Sequence, residues 1–154
     1  MGEDRFDERI WDGTHEQALV VTVGLMGRVY RRVLEPVGLT TVQSTLLFRI
    51  AQRGGLSQAE LARATLRDRA NVTRVLEGLT ERGLVVRRRD RQDRRKYHLF
   101  LTPLGRRTVA RIRKRFQAAS LDLRRGIAEA DVAATLRFLD RLQANYRTFL
   151  GDSA

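Results

Sequence analysis

The sequence predicts a mainly α-helical chain that carries one small β-hairpin. Apolar residues recur at helical spacing in long segments at both ends, two shorter capped segments follow one another in the middle, and two β-prone runs bracket a basic stretch. With 154 residues, 42% of them hydrophobic, the chain supports one well-buried core and falls short of two ordinary domains. A single domain over residues 1–154 is therefore expected.

From His15 to Leu34 the apolar positions Leu19, Val20, Val23, Met26, Val29, Tyr30 and Val33 cover a broad helical arc, and an arc that wide faces more than one neighbour. Pro36 and Gly38 break the pattern. A second helix restarts after Thr40, which is spaced from Gln43 as a capping box, and stops at Gly54 and Gly55. Ser57 and Glu60 form another capping box ahead of a short helix, and Asp68 and Gly83 delimit the next one. Two short helices with a brief connection make the helix-turn-helix pattern. In the second of them Val72, Val75, Leu76 and Leu79 form the buried stripe. That leaves Ala70, Arg74 and Glu77 on the opposite face, with Arg69, Asn71 and Thr73 flanking the exposed amino end.

"LVVRR" and "KYHLFLT" then read as the strands of a hairpin with a charged tip. Thr102 caps a long helix with Pro103 at its first position, and its stripe of Val109, Ile112, Phe116, Ala119 and Leu123 wants a partner helix. The segment Glu129 to Leu150 repeats the theme with Val132, Leu136, Leu139, Leu142, Tyr146 and Phe149. These terminal stripes exceed what a small central module could cover, so dimerisation is expected of residues 15–38 and 103–150.

Charge points to the partner. Thirty Lys and Arg against 18 Asp and Glu give a formal net charge of +12, which favours an anionic partner such as nucleic acid or acidic lipid without choosing between them. Seven basic residues crowd the ten positions from Arg87 to Lys96, at the tip of a hairpin that follows a helix carrying Arg67, Arg69 and Arg74. A hairpin after a helix-turn-helix is the winged form of that fold, with a helix for the major groove and a charged loop for the backbone or minor groove. Asp90 and Asp93 interrupt the basic run. A carboxylate beside an arginine accepts a bidentate hydrogen bond and orients the guanidinium before DNA arrives; Asp93 next to Arg94 and Arg95 is the pair singled out for this.

Residues 39–106 resemble the winged helix-turn-helix of the MarR family of bacterial transcription regulators. The matching stretches are "LSQAELA", "DRANVTRVLEGLTERGLVVRR" and "DRQDRRKYHLFLTPLG", the last with the wing signature of two spaced Asp, Arg-Arg, and a strand ending in Leu-Thr with Gly shortly after. With the flanking helices the resemblance covers about residues 15–150. It implies an obligate homodimer with interleaved first and last helices, each subunit placing one winged module on a pseudo-palindromic site in double-stranded DNA. Carried over by position, Arg69, Ala70, Asn71 and Arg74 meet base edges or nearby phosphates, Ser57 and Gln58 touch the backbone, and Arg95, braced by Asp93, enters the minor groove. Arg67, Thr73, Arg88 and Arg94 complete the candidate DNA-binding set. Two positions depart from the family pattern: Gly78 either permits a close backbone approach or is neutral, and Glu77 either faces a cytosine or pairs with a local arginine.

The function expected is that of a homodimeric, sequence-specific repressor whose DNA binding a small molecule relieves; the alternative is a nonspecific architectural DNA-binding protein. Family members commonly bind small aromatic or phenolic anions between the dimer helices and the winged module. His15, Met26, Tyr30 and Phe48 are candidates for that role, against core packing for the last three and a solvent-facing place for His15. Trp11 is expected to anchor the amino-terminal segment, and His98, inside a strand, to be structural. An enzyme is disfavoured: two histidines, no cysteine and no glycine-rich phosphate loop leave no catalytic constellation, and no cofactor or metal site is expected. A membrane-surface reading of "RRTVARIRKRF" yields to the longer interface-like stripe around it, and RNA binding lacks the aromatic-rich strands that stack bases. With no cysteine, no apolar leader and no long apolar run, a cytoplasmic location is expected.

Overall fold

The computed structural model describes residues 14–90, 93 and 96–151, so Trp11 lies outside the described residues. The elements run α1 (His15–Leu34), a 3-10 turn (Glu35–Val37), α2 (Thr41–Gln52), α3 (Gln58–Ala64), α4 (Arg69–Glu81), β1 (Val85–Arg89), β2 (Tyr97–Leu101), α5 (Pro103–Leu123) and α6 (Glu129–Leu150). The chain divides into two compact units, one ending at Phe116 and one starting at Gln117.

Local chemistry explains where the helices begin. Thr40 Oγ1 accepts from the Gln43 backbone N–H at 3.2 Å while Gln43 Oε1 accepts from the Thr40 N–H at 2.9 Å, closing the expected box at the start of α2. Asp68 Oδ1 accepts from the Asn71 N–H at 2.7 Å at the start of α4, and Thr102 Oγ1 from the Gly105 N–H at 2.9 Å at the start of α5. Each such cap contributes about 1 kcal/mol.

The first unit has one core. Leu34 of α1, Leu46, Leu47 and Ile50 of α2, Leu61 of α3, Val72, Leu76 and Leu79 of α4, Val85 and Leu99 of the hairpin and Ile112 of α5 are buried together. Removing each such side chain from water is worth about 1.5–3 kcal/mol. The strands pair antiparallel from Val85↔Leu101 to Arg89↔Tyr97, and Leu56, just ahead of α3, bridges to Leu99. This bridge joins the hairpin to the helix-turn-helix: the Leu99 N–H donates to the Leu56 carbonyl at 2.9 Å and the Gly55 N–H to the Leu99 carbonyl at 3.0 Å. Above it, Tyr30 and Phe48 both pack edge-on against Phe116, with ring centroids 4.7 and 6.3 Å apart.

The second unit holds the end of α5, a reversal at Gly126 in the left-handed region, and α6. Arg124 pairs with Glu129 at 2.6 Å across the reversal. No residue of α6 is buried, and Leu136, Tyr146 and Phe149 of its stripe are exposed. In the first unit the broad arc of α1 likewise leaves Val20, Val23 and Met26 exposed while Val33 and Leu34 are buried.

Candidate nucleic-acid interface

The interface begins at the α3–α4 pair. The Ser57 hydroxyl donates to Glu60 Oε2 at 2.7 Å, and the Ser57 backbone N–H reaches the same oxygen at 2.8 Å. The backbone bond first, and the hydroxyl bond second, hold the Glu60 carboxyl below the ordinary glutamate range. Gln58 Nε2 donates to the Thr73 hydroxyl, which in turn donates to the Arg69 carbonyl at 2.7 Å. Of the candidate residues, Ser57 thus caps α3, while Gln58 and Thr73 tie α3 to α4. Arg67 sits exposed in the turn, where its N–H donates to the Ala62 carbonyl at 3.1 Å.

On α4 the buried stripe is Val72, Leu76 and Leu79. Arg69, Ala70, Arg74 and Glu77 are exposed, and Asn71 is half-buried. Ala70, Arg74 and Glu77, spaced by four and three, line one side of the helix. Glu77 makes no ion pair among the described residues, so of its two readings the pairing with a local arginine is absent there. A Cβ at Gly78 would meet nothing within 4 Å, so a close approach inside the chain does not account for that glycine.

Strand alternation sorts the wing's arginines into two sets. Arg87 and Arg89 share a face with Val85, Leu99 and Tyr97, and Arg89 Nε donates to Tyr97 Oη at 2.8 Å with its guanidinium 5.6 Å from the ring centroid. Arg88 points the other way, its guanidinium 5.2 Å from the centroid of Phe100. Arg87, Arg89 and Tyr97 were not singled out from the sequence. Period-2 spacing groups the residues, but only the fold shows that the exposed Arg88 guanidinium lies over Phe100 while Arg87 and Arg89 share the face of the buried Val85 and Leu99.

At the tip, Asp90 organises the turn. Its Oδ1 accepts from the Asp93 N–H at 2.8 Å, its own N–H donates to the Lys96 carbonyl at 2.9 Å, and its Oδ2 lies 2.8 Å from His98 Nε2. His98 Nδ1 lies 2.7 Å from the Gly55 carbonyl, so the structural role expected of this histidine has named partners. The bond to Asp90 first, then that to Gly55, raises the imidazole above the ordinary histidine value. The Asp93 carboxylate lies 3.6 Å from Lys96 Nζ. Arg94 and Arg95, with Arg91 and Gln92, lie outside the described residues, and so does the bracing of Arg95 expected of Asp93.

The proposed effector contacts are spread out. Tyr30 and Phe48 meet at Phe116 beside the core, Met26 is exposed one turn ahead of Tyr30, and His15 is exposed at the start of α1, 2.8 Å from Glu16. Eleven residues of helix, about 16 Å, separate His15 from Met26. An open cavity of about 440 Å³ lies elsewhere in the first unit, lined by Ile50, Phe100, Leu101 and Val109 together with Arg88, Arg106 and Arg113. Its apolar floor and three guanidinium groups went unnoticed in the sequence because they come from four separate elements. Among the described residues no group of three or more His, Cys, Asp or Glu is placed to hold a metal ion, and no helix is long and apolar enough to cross a membrane.

A capped helix-turn-helix bridged directly to an antiparallel basic hairpin defines a winged helix-turn-helix protein. The family model described as MarR family matches residues 37–96. The putative transcriptional regulatory protein for the hcr operon of Thauera aromatica is 34% identical over 112 residues, which span 73% of this chain and 68% of that protein. The chain belongs to the MarR family of transcription regulators. Among solved structures it is similar to the transcriptional repressor CouR bound to a 23-mer DNA duplex, with TM-score 0.78 and 30% identity over 84% of this chain and 92% of that one. It is also similar to Bordetella bronchiseptica BpsR, described for regulation of its DNA binding by 6-hydroxynicotinic acid, with TM-score 0.76 and 25% identity over 92% and 98% of the two chains.

Proposed function

We propose that this chain is a homodimeric repressor that places α4 of each subunit in a major groove of a pseudo-palindromic operator and the wing on the flanking backbone and minor groove. One observation carries the reading: α4 presents Arg69, Ala70 and Arg74 on an exposed face, on a module bridged to a basic wing. In this reading Asn71 and Arg67 support the contacts of α4, Gln58 and Thr73 act by fixing its angle, and Ser57 caps α3 beside the backbone. Arg87, Arg89, Arg94 and Arg95 supply the wing's positive charge, and Asp93 braces Arg95. Residues 39–106 form the DNA-binding module, and residues 15–38 and 103–150 dimerise through the apolar side chains left exposed on α1 and α6. The similarity to CouR, a repressor solved on DNA, supports the same assignment.

Relief by an effector belongs to the proposal. The cavity beside Phe100 has the size and the chemistry for a small aromatic anion: an apolar floor for the ring and Arg106 and Arg113 for the carboxylate or phenolate. Arg88, shared between that cavity and β1, links occupancy to the wing. The regulation of BpsR by 6-hydroxynicotinic acid is the precedent in a similar fold.

Fluorescence anisotropy tests both parts, on the duplex upstream of the protein's own gene and on a scrambled duplex, across a salt series. A preference of about a thousandfold or more for the native duplex marks a specific regulator. Arg74→Ala lowers that preference by about 1–3 kcal/mol. Equal binding of both duplexes with the same steep salt dependence instead makes the protein an architectural binder acting through phosphates. Aromatic carboxylates, 6-hydroxynicotinate among them, release the native duplex from the intact protein and fail to release it from Arg113→Ala.

A further inference from the structure

The geometry points to His98 as a proton-dependent clamp: the doubly protonated imidazole ties the wing's tip turn to the Gly54–Gly55 turn ahead of α3, so that the wing is held for DNA only while His98 is charged. Both partners of the ring are acceptors, the Gly55 carbonyl at 2.7 Å from Nδ1 and the Asp90 carboxylate at 2.8 Å from Nε2. A neutral imidazole has one N–H and can satisfy one of them; the other contact then sets a lone pair against an oxygen. Only imidazolium makes both bonds. Each bond also leads somewhere. Asp90 closes the tip turn through Asp93 and Lys96, and Gly55 precedes Leu56, which bridges to Leu99 and leads into the Ser57 cap of α3.

The charged surroundings of His98 among the described residues favour the cation. Asp90 faces it from the tip turn and Glu60 acts on it from α3, both negative, and the two bonds hold the ring above the ordinary histidine value. Arg53 and Arg63 act on Glu60 and soften its influence. Arg88 stands opposite His98 across the strand pair and opposes protonation, but its guanidinium lies over Phe100 instead. Histidine is the side chain whose charge responds between about pH 5 and 8, so the clamp opens as pH rises through a physiological range.

This inference rests on the wing being a DNA-contacting element, so its test pairs a readout that needs no DNA with one that does. Imidazole 15N shifts of the full-length protein, assigned by comparison with His98→Gln, report which ring nitrogens carry protons. Amide exchange at Asp90, Asp93 and Lys96, corrected for its intrinsic pH dependence, reports the tip turn. Both nitrogens of His98 are expected to be protonated at about pH 6.5, the ordinary histidine midpoint. One of them loses its proton as pH rises, at a higher midpoint in the intact protein than in Asp90→Asn, and tip-turn exchange speeds up with the same midpoint. Affinity for the upstream duplex falls about five- to tenfold across that step. His98→Gln abolishes both steps and binds at the weaker level throughout. A single protonated nitrogen at pH 6.5, or steps that persist in His98→Gln, overturns the clamp. So does DNA affinity that stays flat while the ring and turn titrate. If ring and turn titrate together and affinity for native and scrambled duplexes falls alike, the clamp stands and the operator reading falls.

Discussion

Leu66 carries a visible cost. It sits in the α3–α4 turn at φ +51°, the one non-glycine residue with positive φ among those described, and 92% of its surface is exposed. The left-handed conformation costs a residue with a Cβ about 1–2 kcal/mol, and so exposed a leucine recovers none of it by burial. Leu66→Gly relieves the strain but frees the unfolded chain, an offset of about 0.4–1 kcal/mol. Urea denaturation of the variant should show a net gain of up to about 1 kcal/mol. A loss would mean that the leucine side chain is held in the folded protein. Glu60 is the residue whose titration matters at acid pH. Its carboxyl is held below the ordinary 4.5, so the capping box contributes stability that is fully present above about pH 4.5 and is lost as pH falls through the lower folded value. Glu60→Gln keeps the reach but not the charge; the variant should lose about 1 kcal/mol at neutral pH and show a flatter loss of stability between pH 5 and 3. An acid limb identical to that of the parent protein would place the titration elsewhere.

The helices and their caps were legible because their signals are local: Thr40 with Gln43, Ser57 with Glu60, Asp68, and Thr102 with Pro103 all lie within four residues of what they stabilise. What escaped is set by contacts between distant elements. The bond of His98 to Gly55 spans 43 positions, and the seat of the exposed Arg88 guanidinium over Phe100 depends on where that ring packs. The bridge of Leu56 to Leu99 likewise leaves no mark in either segment alone. Gly105 shows the same limit. Its place in the wing motif gave no reason for a glycine, whereas a Cβ there would stand 2.1 Å from the Leu84 carbonyl oxygen, a backbone atom that has no room to retreat. The first turn of α5 therefore docks onto the start of β1 only with glycine at this position. Gly105→Ala should destabilise the protein by about 1–3 kcal/mol or shift the α5 start away from the hairpin. Thermal unfolding reads the first result and amide exchange at Thr102 and Leu84 the second; an unperturbed variant would show that the approach is looser than 2.1 Å implies.

At the scale of the molecule, the exposed apolar faces call for a partner. Leu136 is 58% exposed, Phe149 89% and Val23 56%, and all three belong to stripes that the sequence spacing marks as interfaces. Leaving that much apolar surface in water is costly, and exposed apolar faces of this kind mark protein–protein contacts. If these faces meet in a homodimer, folding and association are coupled, and the melting temperature must rise with protein concentration. Leu136→Asp separates this from the alternative. On a monomer an exposed leucine replaced by aspartate changes stability by no more than about 0.5 kcal/mol. In a dimer the same change buries an unpaired carboxylate, which costs several times that and drives the subunits apart. Sedimentation equilibrium should therefore find the intact chain dimeric and Leu136→Asp largely monomeric, with its affinity for a two-half-site duplex reduced because each half-site is now held alone. A monomeric parent chain whose melting temperature ignores concentration, or a Leu136→Asp protein that stays dimeric, would remove the α6 stripe from the interface. The operator would then have to be read as a site for one winged module rather than two.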